Sequence, residues 1–118
     1  MLIKMENPSG GGGATGAYGY RTSISANQTV DINDLGFEPR VIILVATGAN
    51  SSEAYTFWYD SDYSTSQQWF CGQGYGSWQT FAFPATGSSM GFTETNPNGF
   101  KFSSGSYSIN KIDYVAIP

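Results

Sequence analysis

The sequence predicts an all-β protein, an antiparallel β-sandwich of the jelly-roll type with about eight or nine short strands. Apolar and polar residues alternate with a period of two along several short segments. Glycine, proline and asparagine residues separate those segments at intervals of roughly ten residues, the turn spacing of such folds. No segment repeats its apolar residues with the helical period of about 3.6. The 118 residues are enough for one domain.

Residues 1–14 are expected to form a flexible arm, and residues 15–118 the β-sandwich domain. A short apolar head at residues 1–5 precedes four consecutive glycines at 10–13. Glycine loses more conformational freedom on ordering than any other residue, so a run of it behaves as a linker. If the arm is ordered, we expect it to be held by the flank of the domain, by a neighbouring copy or by a larger assembly.

Nine segments are expected to be strands, because their residues alternate or are mostly apolar. Pro97 presets a turn between the two segments nearest to it, and Asn98 and Gly99 tolerate a positive φ, which together indicate a hairpin. The nine segments are residues 20–24, 30–32, 41–46, 53–60, 69–71, 77–83, 90–93, 100–103 and 111–117.

One of these segments is apolar throughout, at residues 41–46. Such a strand is expected at the centre of a sheet, covered on one face by the opposing sheet and on the other by more protein. A subunit interface is the natural cover for the second face. The motif before it, Leu-Gly-Phe-Glu-Pro-Arg at 35–40, should place Leu35 and Phe37 at the edge of the core. Pro39 restricts the backbone, so the chain enters the strand in one direction.

The core is expected to depend on aromatic residues. Leucine, isoleucine and valine total 15, whereas phenylalanine, tyrosine and tryptophan total 19. Each aromatic side chain can bury about 150–250 Å². The single cysteine, Cys71, excludes a disulfide within the chain and is interpreted as a small buried apolar residue rather than a reactive thiol.

Charge and hydropathy exclude two classes of partner. The net charge is −4, and the five basic residues are scattered singly. Nucleic-acid binding needs a basic patch or stripe, so no nucleic-acid partner is expected. No apolar run approaches the roughly 18–20 residues of a membrane span, so no membrane insertion is expected.

The sequence offers no convincing catalytic site. The chain has no histidine, which removes the usual nucleophile systems and the commonest metal ligand. Asp60 and Asp62 are the only close carboxylates, and glycosidases usually take their two carboxylates from separate elements. A calcium loop beginning at Asp60 would have Cys71 where the bidentate glutamate belongs. The pair is therefore interpreted as a solvated turn, and no catalytic residue, metal or cofactor is predicted.

The central third of the chain carries an unusual number of aromatic residues among polar ones. Flat rings beside carboxylates and amides are typical of sugar-binding surfaces, because rings cover the C–H face of a sugar and polar groups bind its hydroxyls. A small all-β core or a subunit interface uses the same rings. Tyr63 and Tyr75 have the most polar surroundings and are expected to be exposed. The candidate carbohydrate-binding residues are Asp60, Asp62, Tyr63, Trp69, Tyr75 and Trp78.

Taken together, several short motifs resemble a domain of bacteriophage virion proteins, mostly tail-fibre, head-fibre and tail proteins. The family pattern has Gly-aromatic-Gly near its start, then Leu/Phe-Gly-Phe-x-Pro-Lys/Arg and a β-branched run. A Gly/Asn-rich hairpin and a closing Tyr-aliphatic-Ala-Ile strand complete it. The order and spacing of the motifs carry the resemblance, which spans residues 15–118, whereas residues 48–86 match no part of the pattern. The matching segments here are residues 16–20, 35–40, 41–45, 96–102 and 114–117.

The resemblance implies a non-enzymatic protein located in the virion. Two roles stay open: a tail-fibre or receptor-binding protein that contacts bacterial surface glycans, and a capsid-decoration or head-fibre protein. In the second role residues 1–13 would anchor the domain to other virion proteins. Fibre and decoration proteins of this type are commonly trimers around a threefold axis, so a homotrimer is expected.

Overall fold

A computed structural model describes residues 1–6, 14–49, 53–62, 67–72 and 76–118. This part of the chain contains ten β-strands and no helix, which confirms the predicted all-β class and adds one strand to the expected number. The strands are β1 (Leu2–Glu6), β2 (Ala14–Ile24), β3 (Thr29–Ile32), β4 (Val41–Ala49), β5 (Glu53–Asp60), β6 (Gln67–Gly72), β7 (Gln79–Ala82), β8 (Gly91–Asn96), β9 (Gly99–Ser103) and β10 (Ile109–Ile117).

The strands form two antiparallel sheets that make a sandwich. The large sheet has seven strands in the order β1-β2-β10-β4-β5-β6-β7, and the small sheet has three in the order β3-β9-β8. The apolar strand β4 is the middle one of the seven, and β10 lies beside it. A central position was expected for β4, and the observed order confirms it.

The first strand corrects the expected arm. Leu2–Glu6 pairs antiparallel with β2, and the amide of Tyr20 donates to the carbonyl oxygen of Met1 at 3.0 Å. The side chain of Leu2 packs against the core. The apolar head expected in a flexible arm is therefore an edge strand of the large sheet. The glycines at 10–13 lie outside the described residues, so the linker there stays a prediction.

Aromatic rings from both sheets contribute a large share of the core, as expected, beside a greater number of aliphatic side chains. The ring of Phe102 on β9 lies 5.1 Å from Phe57 on β5 and 5.4 Å from Phe92 on β8, measured between centroids. Both contacts are edge-to-face, the arrangement that aromatic quadrupoles prefer. Ile42, Leu44 and other aliphatic residues complete the buried cluster.

The Leu-Gly-Phe-Glu-Pro-Arg motif before β4 lies as predicted. Leu35 is buried and Phe37 packs partly buried against the core, while Glu38 and Arg40 are exposed. Gly36 between the two apolar residues has a φ of 78°, a conformation that favours glycine. The motif fixes the entry into β4, and nothing in it resembles a reactive site.

The predicted hairpin between β8 and β9 is present, but Gly99 is required there for a reason other than the positive φ that was expected. Asn96 pairs with Gly99, so Pro97 and Asn98 form the turn. The described positive-φ residues do not include Asn98 or Gly99. A Cβ at Gly99 would collide with the carbonyl oxygen of Ile32. Glycine is therefore required there because β3 approaches closely.

Gln68 on β6, which no sequence pattern indicated, connects the two sheets. The side chain is fully buried. Its Oε1 accepts from the amide of Phe92 at 2.9 Å, and its Nε2 donates to the carbonyl oxygens of Phe92 and Ala82 at 3.0 and 3.1 Å. The side-chain amide thus imitates a backbone peptide group and extends hydrogen bonding from the large sheet to β8.

Candidate functional site: the outer face of the large sheet

The large sheet has a covered face and an open one. Along β4, Ile42, Leu44 and Ala46 point inward and are buried under the small sheet. Side chains alternate along a strand, so Val41, Ile43 and Val45 point outward. Ile43 is 44% exposed in the single chain. We call this second surface the outer face, and the described residues of one chain leave it open.

The strand register places an apolar residue beside Ile43 on each neighbouring strand. Val115 on β10 pairs with Ile43 on one side, and Trp58 on β5 pairs with it on the other. The same register continues to both sides without a polar interruption over six strands, which spans about 24 Å at about 4.8 Å per strand. We call these six residues the outer row: Ile3, Tyr18, Val115, Ile43, Trp58 and Trp69.

The outer row has apolar flanks. Val41 and Ile117 pair with each other on one side of it, and Val45 lies on the other side. All three are half-buried. The apolar band is therefore about three residue rows wide near β4 and narrows toward the edges of the sheet.

Charged residues border this band within its two flanking rows, since Asp113 pairs with Val45 and Asp60 pairs with Val41, and each lies against a basic residue. At one end Lys111 Nζ is 3.3 Å from Asp113 Oδ1 and lies 4.9 Å from the ring centroid of Tyr20. At the other end Arg40 Nη1 lies 3.5 Å from Asp60 Oδ1 and 3.3 Å from Asp62 Oδ2. The charges that border the apolar band are thus compensated locally.

Three tryptophans form a cluster at one side of the outer face. The ring of Trp58 lies 5.3 Å from that of Trp69 with 39° between the planes, and 6.2 Å from that of Trp78 with 68° between the planes. Trp78 is 47% exposed. Polar side chains lie close by, since Thr80 pairs with Trp69 across the strands and Gln67 is two residues from Trp69 on the same face. We call Trp58, Trp69 and Trp78 the tryptophan cluster.

Of the six predicted carbohydrate-binding residues, Trp69 and Trp78 come together in this cluster, whereas Tyr63 and Tyr75 lie outside the described residues. The ring that joins the two tryptophans is Trp58, which was not among the candidates. Its neighbours in sequence, Phe57 and Tyr59, are buried, so alternation along β5 was the signal that would have placed Trp58 outside.

Asp60 and Asp62 are held in a turn at the end of β5. The amide of Asp62 donates to Asp60 Oδ1 at 3.0 Å, and Arg40 lies against both carboxylates. The self-capped turn is the one expected from the sequence. A sugar hydroxyl would compete with Arg40 for these oxygens. Among the described residues, no group of three His, Cys, Asp or Glu side chains could hold a metal ion.

A cavity of about 280 Å³ opens between the two sheets at the β6–β7 side. It is lined by the aromatic residues Phe57, Phe70 and Phe81 and by the hydroxyl-bearing residues Ser88 and Tyr107, among others. No charged side chain lines it among the described residues. The cavity thus offers apolar contact and a few hydroxyls, but no group suited to acid–base catalysis.

One ionisable group in the described core has a shifted pKa. Burial raises the pKa of the Tyr114 hydroxyl, and the nearby Arg21 partly opposes the rise. That hydroxyl has no hydrogen-bond partner among the described residues. It lies beside Gly19, where an added Cβ would come within 2.6 Å of it. The site is closed, so we assign it a packing role.

Comparison with known proteins gives no relative. No family model, curated protein or solved structure matches this sequence. In addition, none of the described residues form a helix long and apolar enough to span a membrane. The outer face and the sequence motifs are the observations from which a function can be argued.

Proposed function

We propose that this chain is a non-enzymatic protein of a bacteriophage virion surface, of the tail-fibre or head-fibre type, whose outer face is buried in the assembled particle. The observation that carries the structural role is the outer row, a line of apolar side chains over six adjacent strands. The motifs that resemble phage virion proteins supply the location.

The outer row indicates that this face is buried in an assembly, because its apolar side chains gain little free energy of burial in the single chain. Leaving apolar surface in water forgoes about 25 cal/mol per Å². Single exposed apolar residues are ordinary on proteins, but a contiguous patch marks an interaction surface. Tyr18, Val115, Ile43 and Trp58 are all exposed and lie next to one another in register. A protein partner over this face would cover them together.

The position of the two close carboxylates supports the non-enzymatic part of the proposal. The only close carboxylates singled out in the sequence, Asp60 and Asp62, lie against Arg40 at a strand end. Glycoside hydrolysis uses two carboxyl groups that flank the bond to be cleaved, whereas these two carboxylates lie against the same guanidinium.

A second candidate function is glycan contact by a receptor-binding protein. It is supported by the tryptophan cluster, whose exposed member Trp78 lies near Thr80 and Gln67. Against it, the planes of Trp58 and Trp78 are inclined by 68°, so the two rings offer no common flat platform. In this role each site would bind saccharide weakly, and multivalency would restore affinity.

The anchoring role of residues 1–13 also stays part of the proposal. Because Leu2–Glu6 belongs to the large sheet, deleting residues 1–13 removes a strand as well as a possible anchor. The truncated chain therefore tests attachment to the particle only after circular dichroism has shown that it is folded.

Labelling of purified virions with an antibody against this protein tests the proposal. Label over the capsid supports the decoration or head-fibre role, and label at the tail tip supports the receptor-binding role. Purified particles that carry no label, and contain none of the chain by mass spectrometry, would refute a virion protein of either kind.

A further inference from the structure

We infer that the outer face of the large sheet packs against the outer face of a second copy of this chain. This inference names the partner for the surface that the proposed function buries, and so rests on that proposal. The area, shape and charge of the face support this contact, which can be tested without a virion.

The area of the outer face, with the apolar band at its centre and polar residues around it, fits an interface between copies. Over the seven strands the face extends about 29 Å across, and three residue rows give it a width of about 20 Å. The projected area is then roughly 600 Å² per copy, so two copies would bury about 1,200 Å², the lower limit of a specific stable interface. An interface confined to the tryptophan cluster would fall well below that limit.

The shape of the face is suited to a copy of itself. Sheets with the same right-handed twist pack face to face at about 10 Å, with their strands inclined by about 30°. A second copy brings the same twist and the same central strand, β4. Ile43 lies near the middle of the face, and large rings such as Trp58 lie to one side of it. If the partner is related by a twofold axis that passes near Ile43 and runs along the strands, its large tryptophan rings lie against the side of the first copy that carries the smaller side chains Val115 and Tyr18.

Charge does not oppose the contact. The chain carries a net charge of −4, but the outer row itself contains no charged residue. Lys111 and Asp113 neutralise each other at one end, and Arg40 compensates Asp60 and Asp62 in part at the other. Two copies can therefore approach without burying an uncompensated charge at the centre, which is the costly case.

The test compares two charge substitutions on the outer face. Ile43→Glu places a carboxylate at the centre of the outer row, where association would bury it. Thr22→Glu places the same charge at an exposed position on β2, opposite Lys111 and outside the band. Val115→Glu, on the strand next to β4, is the second variant if Ile43→Glu does not fold.

Light scattering on the purified full chain at micromolar concentration gives the mass. The wild type and Thr22→Glu are expected at twice 12.7 kDa. Ile43→Glu and Val115→Glu are expected at the mass of a single chain with a folded circular dichroism spectrum. Dilution of the wild type should also shift the tryptophan emission to longer wavelength, because Trp58 and Trp69 become exposed to water.

A wild-type chain that stays monomeric and folded would overturn the inference. So would an oligomer that survives both Ile43→Glu and Val115→Glu. A mass of two chains supports the interface and refutes the expected trimer. A mass of three chains contradicts the interface, because a contact between the same face of two copies closes at two copies. An oligomer lost on substitution, from a protein absent from virions, would leave the interface established and the proposed function refuted.

Discussion

Replacing Gln68 should reveal how much one buried amide contributes to joining the two sheets. In Gln68→Leu the amide of Phe92 loses its acceptor, and a buried unsatisfied donor costs about 1–3 kcal/mol. The carbonyl of Phe92 keeps a second donor, the amide of Ala85 at 3.0 Å, and the carbonyl of Ala82 lies on an exposed residue that water can reach. We therefore expect a loss of about 1–3 kcal/mol, since only the amide of Phe92 is left without any partner.

The preceding residue supplies a matched control. Gln67 is exposed on the opposite face of the same strand, so Gln67→Leu should change the free energy of unfolding by less than about 0.5 kcal/mol. Urea unfolding followed by tryptophan fluorescence measures both variants, with an unchanged m value showing that the unfolded state is comparable. Equal stabilities for Gln68→Leu and Gln67→Leu would refute the structural role.

A third variant, Gln68→Glu, makes the same contact sensitive to pH. The protonated carboxyl can still donate to a carbonyl oxygen and accept from Phe92, whereas the carboxylate would face the carbonyl oxygens of Phe92 and Ala82 with no proton to donate. Burial should therefore raise the pKa of the introduced carboxyl above its unfolded value of about 4.3. The variant keeps its stability below that pH and loses about 1.4 kcal/mol per pH unit above it, up to the folded pKa. A stability difference from wild type that is flat between pH 3 and pH 7 would contradict this.

Three further predictions concern the core and the outer face. Leu44→Ala removes a fully buried side chain from β4 and should cost about 2–5 kcal/mol, measured by urea unfolding; a loss under 1 kcal/mol would mean that the site is not core. Tyr114→Phe removes a buried hydroxyl without a partner and should leave the free energy of unfolding at pH 7 equal or higher. Because burial raises the folded pKa of Tyr114 above 10, the wild type should lose stability as the pH rises past 10. Unfolding curves measured at alkaline pH should show a smaller loss for the variant. If the tryptophan cluster binds glycans, Trp69→Ala and Trp78→Ala should abolish binding to host cells at a nearly unchanged melting temperature, whereas unfolding of both variants would assign the rings to packing.

The strands near the middle of the chain could be predicted because their patterns are local. Residues 41–46 are apolar without interruption, and only a central strand has two faces that favour such residues. The partners of those strands could not be predicted, because pairing joins distant segments. β1 was missed for this reason, because the glycines that separate it from its partner β2 in sequence were interpreted as a linker before the domain.

The candidate site was predictable in composition but not in arrangement. Trp69 and Trp78 were singled out as aromatic residues among polar ones, yet Trp58 completes the cluster through the register of β5 with β6. Arg40 forms ion pairs with Asp60 and Asp62 although it lies 20 or more positions away in sequence. The residues around the two carboxylates therefore gave no indication of this contact. Gln67 and Gln68 are chemically identical neighbours, and only the side of the sheet distinguishes the exposed one from the buried one.

The position of β10 has a consequence for how the chain is synthesised and folded. β10 is the last strand in sequence but lies between β2 and β4, and it pairs with both. Until residues 109–117 leave the ribosome, β2 and β4 have unpaired edges that can recruit strands of other chains. The hairpins from β4 to β7 and from β8 to β9 join neighbouring segments and can form early. The pairing of β2 with β10 can form only later, because paired residues such as Ile24 and Ile109 are almost ninety positions apart in sequence. A ribosome that stalls shortly before residue 109 would therefore release a fragment with a half-built sheet and a strong tendency to aggregate.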